Sequence, residues 1–334
     1  MPTPPHQPTH HTNDGFRNPW PGAEPKGLGD VLRWSVQRRR QTLAPDPTPG
    51  TFPVEAPAFD PRAGADELVA TWVGHSTVLV QIGALNVLTD PMWSERASPV
   101  SFAGPSRFVP PAVAFDALPA IDLVLLSHNH YDHLDRPTVR RLAERFPDAD
   151  WAVPLGLAEK VVGWGVRRAH ELDWWSTLRI RGVTIGCTPA QHFSARGFGD
   201  RGDTLWCGWT VADDRFRIYF AGDTAYFPEF GAIAERFGPF DLVLLPIGAY
   251  EPRWFMRSVH MNPDEAVQAY RELGDRTIPA PAMLPIHWGT FRLTDEGMDE
   301  PPRQIESLWR EAGLDRDALW LLRHGETRRM RSGP

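Results

Sequence analysis

The sequence predicts an α/β fold in which two β-sheets pack face to face under outer helices, with an extended arm ahead of a single body. Three observations carry this. Strand-like segments rich in β-branched residues recur through both halves of the chain, with helix-start signals interspersed between them. The 334 residues, 42% hydrophobic and 23% charged, hold enough apolar material for one sizeable core. Residues 1–62 carry 13 of the 34 prolines and little hydrophobic periodicity, so this stretch reads as an arm and 63–334 as the body.

Within the arm, Leu28, Val31, Leu32 and Val36 recur at helical spacing beside Arg33 and the run Arg38 to Arg40. The simpler expectation is a short helix docked on the body; the alternative is a helix lying on a membrane surface. The body opens with a hairpin, Ser76–Ile82 and Leu85–Thr89, joined at Gly83-Ala84. A Pro- and Ser-rich stretch from Asp90 to Ala120 has no period and reads as a long functional loop. A buried strand follows at Ile121–Ser127.

Asp135 before Pro137, with Val139, Leu142 and Phe146 on one face, predicts a helix directly after Ser127–His133. Further strands are expected at Val183–Thr188, Leu205–Val211, Arg217–Ala221 and Asp241–Pro246. Asn262-Pro263-Asp264-Glu265 opens another helix, carried by Val267, Tyr270 and Leu273 and stopped by Gly274. A third helix is expected over roughly Pro302–Ala312.

The net charge of −7, from 35 basic and 42 acidic residues, argues against a general polyanion-binding surface, so nucleic acid is not the expected partner. Cys187 and Cys207 are too few for a disulfide framework. No apolar run is long enough to cross a bilayer and no basic-then-apolar leader is visible. The expected location is therefore the cytoplasm, or the inner face of its membrane. Fourteen tryptophans suit cores, ligand grooves and lipid interfaces alike.

The sharpest chemical signal is Ser127-His-Asn-His-Tyr-Asp-His-Leu134, which crowds His128, His130, Asp132 and His133 between a buried strand and a helix start. Imidazole nitrogen and carboxylate oxygen together suit zinc or a similar divalent ion. His192, Asp223 and His287 end other strand-like segments and can complete such a site. Taken singly each is weak, a lone strand-end His being more often a hydrogen-bonded structural residue and Asp223 beside Gly222 fitting a turn; their joint occurrence with the cluster favours ligation.

The order His-x-His-x-Asp-His, then His, Asp and His, resembles the metallo-β-lactamase superfamily. Phe16-Arg-Asn-Pro-Trp-Pro21, Trp72-Val-Gly-His-Ser76, Leu88-Thr-Asp-Pro91, Glu171-Leu-Asp-Trp-Trp175, Pro246-Ile-Gly-Ala-Tyr-Glu-Pro-Arg-Trp-Phe-Met256 and Ile286-His-Trp-Gly-Thr-Phe291 narrow the resemblance. In that order they are similar to the N-acyl-phosphatidylethanolamine-hydrolysing phospholipase D family. The resemblance implies an αββα sandwich and two Zn2+ per chain. One ion would be held by His128, His130, His192 and Asp223, and the other by Asp132, His133, Asp223 and His287, with Asp223 bridging.

It further implies a phosphodiesterase that uses metal-activated water to release N-acylethanolamine and phosphatidic acid. Asp132, Asp223 and His260 would stand closest to the chemistry. His75 and Asp90 match motif positions that support ligands or merely the fold, and the role of His324 is left open. Tyr226, Phe227, Trp254, Phe255 and Met256 are candidates for an acyl-chain groove, with core packing as the alternative for each. The implied partners are a phospholipid substrate and a membrane surface bound peripherally and reversibly; dimerisation is left open. A same-fold hydrolase of another phosphodiester or a lactone remains the alternative, with a nuclease or a non-catalytic lipid binder behind it. His6, His10, His11 and His170 have no supporting constellation.

Overall fold

In this computed structural model, residues 9–48, 50–197, 199–274, 277 and 279–332 are described, so His6 lies outside them. The arm forms a two-stranded ribbon, β1 (His11–Thr12) with β2 (Gly15–Phe16), and a helix, α1 (Leu28–Arg38). The first half of the body contains β3 (Glu67–Gly74), β4 (Thr77–Ile82), β5 (Leu85–Thr89), β6 (Leu123–Leu125), α2 (Arg136–Arg145), β7 (Asp150–Pro154), α3 (Ala158–Val162) and β8 (Arg168–Leu172). The second half contains β9 (Thr177–Ile180), β10 (Val183–Thr188), β11 (Gly208–Ala212), β12 (Arg217–Phe220), α4 (Phe230–Phe237), β13 (Leu242–Pro246), α5 (Arg253–Met256), α6 (Pro263–Leu273) and β14 (Ala282–Ile286). The chain ends with α7 (Glu300–Glu311) and β15 (Thr327–Arg331).

Two mixed sheets result, ordered β15-β3-β4-β5-β6-β7-β8 and β14-β13-β12-β11-β10-β9. Strand β4 of the expected hairpin is buried along its whole length. Its Val78, Val80 and Ile82 enter the core shared by both sheets, while Leu79 joins Leu88, Val139, Leu142 and Trp151 beneath α2. Both faces are buried, so apolar residues occur at either parity, and the polar Gln81 is accommodated by donating its amide to Asp60 O and Asn86 Oδ1. The Gly83-Ala84 turn places both residues at positive φ, 54° and 64°, as a tight hairpin requires.

Helix ends follow side-chain chemistry. In α6, Asn262 Oδ1 accepts the Glu265 N–H at 2.9 Å while the Glu265 carboxylate accepts the Asn262 N–H at 3.1 Å, and Gly274 closes the helix. Asp135 does precede α2, but its carboxylate accepts from Ser94 and Thr138 rather than from the helix backbone. The strand expected at Leu205–Val211 enters its sheet only at Gly208. Before that, Leu205 N–H bonds Leu155 O and Cys207 N–H bonds Ser127 O, so this piece ties β10–β11 to the opposite half of the molecule.

The pairing directions position the site. Strands β10, β12, β13 and β14 share one direction, as do β3, β5, β6, β7 and β8. The turns after β3, β5 and β6 therefore leave one end of their sheet, and those after β10, β12 and β14 leave one end of the other.

The arm is fastened to this frame. His10 Nε2 and His11 Nε2 each meet one oxygen of Asp173, at 2.7 and 2.8 Å, and His10 stacks on Trp174. These two histidines, without a constellation in the sequence, form one only after folding; His170 bonds Asp150 instead. Burial opposes the charged Asp173 carboxylate, but the bonds from His10, His11 and the Trp174 N–H outweigh it and hold its pKa below the usual range. The clip's contribution is therefore complete above the ordinary aspartate pKa and is lost as pH falls through the lowered folded value. Asp173→Ala should cost ~1–3 kcal/mol by leaving buried donors unpaired. It should also speed amide exchange at Phe16 and Arg17; unchanged exchange there would remove the clip from arm docking.

Helix α1 docks by another face than the apolar one. Trp34 stacks on Phe255 and donates to Asp295 at 2.7 Å, Arg38 pairs with Asp295, and Arg33 lies over Trp254. Leu28, Val31, Leu32 and Val36 point outward, Leu28 and Leu32 being 76% and 67% exposed. The helix does dock on the body as expected, but through an indole with a carboxylate partner and two guanidiniums, which leaves the apolar stripe exposed.

Candidate metal centre

Apart from His260, which follows α5, the side chains of the centre sit in turns leaving strands: His75 after β3, Asp90 after β5, His128 to His133 after β6, His192 after β10, Asp223 after β12 and His287 after β14. His75, Asp90 and His287 adopt φ of 55°, 30° and 62°, a left-handed conformation that non-glycine residues rarely take. Backbone strain thus gathers at these turns, where the chain leaves its strand abruptly.

Hydrogen bonds decide which nitrogen of each imidazole is free. Ser127 Oγ donates to Asp90 at 2.6 Å, so it must accept from His128 Nδ1 at 2.8 Å, which leaves the lone pair on His128 Nε2. His192 Nδ1 can only donate to the Val259 carbonyl, at 2.8 Å, which leaves the lone pair on Nε2. Both free nitrogens aim at His130 Nδ1, 2.8 and 3.1 Å away. One proton cannot satisfy that convergence; a cation can.

The second group is similar. His133 Nδ1 meets Asp90 at 2.7 Å, turning Nε2 toward Asp132 at 3.3 Å and Asp223 at 3.1 Å. His287 Nε2 lies 3.4 Å from Asp132 and 3.1 Å from Asp223. His133 Nε2, His287 Nε2 and Asp223 Oδ1 are buried without hydrogen-bond partners. Asp132 is steadied by His75 Nε2 at 2.9 Å. Asp223 Oδ2 also lies 3.9 Å from His192 Nε2 and 3.9 Å from His260 Nδ1, so this carboxylate stands between the two groups.

The electrostatics fit the same reading. Burial holds His128, His130, His192 and His260 below the usual histidine range, which keeps their lone pairs available. Burial also acts against His133 and His287, but Asp223 and Asp132 overcome it and push His287 up to about 9 and His133 well above its ordinary value. Two buried carboxylates among imidazoles call for positive charge, and divalent ions with nitrogen and oxygen ligands supply it. Two donor sets could hold them: His128, His130 and His192, and Asp132, His133 and His287, with Asp223 facing both.

The remaining sequence-derived residues divide. Tyr226, Phe227 and Trp254 line a cleft of about 500 Å³ that also includes Gln191 and Ser258, the neighbours of His192 and Val259. Phe255 stacks on Trp34 of α1, and Met256 is buried. His324 lies outside the ligand groups, stacked on Trp72 and 3.1 Å from Thr290 Oγ1. That hydroxyl accepts the His75 N–H, so His324 underpins the His75 turn. The Val259 carbonyl and Asn18, whose Nδ2 donates to His192 O at 2.8 Å, also shape the centre. A backbone carbonyl leaves no trace in sequence, and Asn18 was visible only as part of the Phe16–Pro21 motif.

A model of the beta-lactamase superfamily domain matches residues 85–288. N-acyl-phosphatidylethanolamine-hydrolyzing phospholipase D 1 of Caenorhabditis elegans is 42% identical over 269 residues, covering 77% of this chain and 74% of its own length. The mitochondrial N-acyl-phosphatidylethanolamine-hydrolyzing phospholipase D of Saccharomyces cerevisiae is 35% identical over 245 residues, covering 71% and 51%. Among solved structures, isothiocyanate hydrolase from Delia radicum gut bacteria superposes with a TM-score of 0.60 at 22% identity, over 79% of this chain and 100% of that one, a likeness of fold.

Proposed function

Because the chain belongs to the metallo-β-lactamase superfamily and is homologous to phospholipases D that hydrolyse N-acyl-phosphatidylethanolamine, we propose that this metal-dependent hydrolase is a binuclear zinc phosphodiesterase acting on that lipid class. The observation that carries the reading is the cleft beside the metal centre. Tyr226, Phe227 and Trp254 give it apolar walls, and Lys26 and Arg257 give it a cationic rim, a combination suited to an acyl chain attached to a phosphate.

His128, His130, His192 and Asp223 would hold one ion, and Asp132, His133, Asp223 and His287 the other. The ions would make water a better nucleophile near neutral pH and draw charge from the phosphoryl oxygens. In the hydrolysis a bond forms from water oxygen to phosphorus and the bond from phosphorus to the N-acylethanolamine oxygen breaks. His260 Nδ1, unpartnered and held neutral by burial, takes the proton lost by water and returns it to the departing oxygen. Asp132 and Asp223 stay anionic throughout, their carboxyls held well below the usual range: burial opposes this, but the neighbouring imidazoles outweigh it.

Mass analysis of products from a lipid panel tests the reaction. N-acylethanolamine and phosphatidic acid are expected; cleavage at an acyl ester, or turnover of a lactone or another phosphodiester in preference, would overturn the substrate class.

No helix among the described residues is long and apolar enough to cross a membrane. The outward face of α1, with Leu28 and Leu32 exposed and Arg39 and Arg40 exposed just past its end, supports reversible docking on an anionic bilayer. Burying a leucine side chain contributes ~1.5–3 kcal/mol, so Leu28→Asp with Leu32→Asp should reduce vesicle recruitment by tenfold or more. Salt should weaken recruitment of the wild type. Recruitment equal to wild type in vesicle sedimentation would remove α1 from docking.

A further inference from the structure

The cleft assigned to the acyl chain has a twin. The second cleft, of about 480 Å³, is lined by Phe16, Arg17, Phe193, Arg201 and Trp206. Trp20 and Pro21 line both clefts, so this short stretch of arm is the ridge between them. The two clefts also flank one turn of the metal centre: Gln191 lines the first, Phe193 the second, and the ligand His192 lies between. Phe193 reaches the centre, its ring 4.6 Å from that of His130.

The ridge is held firmly. The Trp20 ring packs 4.7 Å from Phe227 and 5.6 Å from Trp174, and its Nε1 donates to Glu229 at 3.3 Å. Asn18, two residues earlier, donates to both Ala23 O and His192 O at 2.8 Å and accepts from Trp206 Nε1 at 3.2 Å. The same few residues therefore fix the ridge and the backbone of a metal-ligand turn. Each cleft pairs aromatic walls with cationic side chains, Lys26 and Arg257 in one and Arg17 and Arg201 in the other.

We propose that Trp20 divides the substrate: the N-linked acyl chain lies on one side of it and a glycerol-linked acyl chain on the other, with the phosphate between them at the metal centre. The arm is thus part of the specificity machinery. This rests on the phosphodiesterase reading above and deepens it. Two apolar limbs joined through one anionic group match two aromatic, cation-rimmed clefts that meet at one metal-ligand turn.

Two measurements on the full chain test it. First, binding is followed with N-acyl-phosphatidylethanolamine brominated on either the N-linked or a glycerol-linked chain, because bromine quenches nearby indole fluorescence and turnover is not needed. Both probes should quench the fluorescence component that Trp20→Phe removes; quenching by one probe alone, or by neither, overturns the divider. Second, the kcat/KM ratio between long and short chains on each limb should fall about tenfold or more in Trp20→Ala and recover substantially in Trp20→Phe, with metal content checked in both. Retained chain discrimination on both limbs overturns the proposal. Binding that quenches as expected without hydrolysis would instead overturn the phosphodiesterase reading and leave the divider standing.

Discussion

Asp223→Ala will lower hydrolysis by ~10³-fold or more, since loss of one preorganised electrostatic stabiliser alone costs ~3–4 kcal/mol and in the proposed binuclear centre this carboxylate would serve two cations. Its Oδ2 lies 3.1 Å from both His133 Nε2 and His287 Nε2 and 3.9 Å from His192 Nε2, so it faces both donor sets. Elemental analysis should show the ion content falling from two per chain to below one. His287→Ala, which removes a ligand from one set, should retain the ion held by His128, His130 and His192. Two ions in folded Asp223→Ala protein would rule out the bridging role.

Asp90→Ala will act from one bond further away and will be seen first in stability. Asp90 accepts from Ser127 N–H at 2.7 Å, Ser127 Oγ at 2.6 Å and His133 Nδ1 at 2.7 Å, all of them buried. Removing it strands three donors and costs ~3–5 kcal/mol, the range for breaking a buried charged pair. It also frees the His133 ring, and loss of such an orienting partner lowers metal affinity ~10–100-fold. Asp90→Asn, which keeps the shape and one acceptor oxygen, should recover part of the stability and less of the affinity. Thermal unfolding with and without zinc, together with a competitive chelator titration, measures both effects. Wild-type affinity in Asp90→Ala would mean that His133 is oriented by packing alone.

Local physics made much of this molecule legible. The β-branched residues of Ser76–Ile82 and Leu85–Thr89 around the Gly83-Ala84 turn marked a hairpin, and the Asn262–Glu265 capping box with Gly274 marked α6 to within a residue. The sequence was silent on β15, which pairs with β3 far earlier in the chain, because Thr327–Arg331 is charged and half-exposed and carries no apolar period. It also left open which face of α1 meets the body. Helical spacing identifies an apolar stripe, but the partner that the helix meets is decided by what lies beneath it, here Phe255, Trp254 and Asp295.

The same division runs through the metal centre. The sequence by itself determined which donors exist: His128, His130, Asp132 and His133 within six residues, then His192, Asp223 and His287 at strand ends, a composition of imidazole and carboxylate that already names the class of ion. Only the tertiary structure decided which nitrogen of each ring faces inward, because that depends on Asp90, Ser127 and the Val259 carbonyl, brought close by sheet topology. It also decided that the arm belongs to the site, through Asn18 bonding His192 and Trp20 separating two clefts. Backbone hydrogen bonding and side-chain periodicity act over a few residues and are written locally. Contacts between positions as distant as 18 and 192 exist only when the parallel strands deliver their turns to one edge and the arm is laid across it.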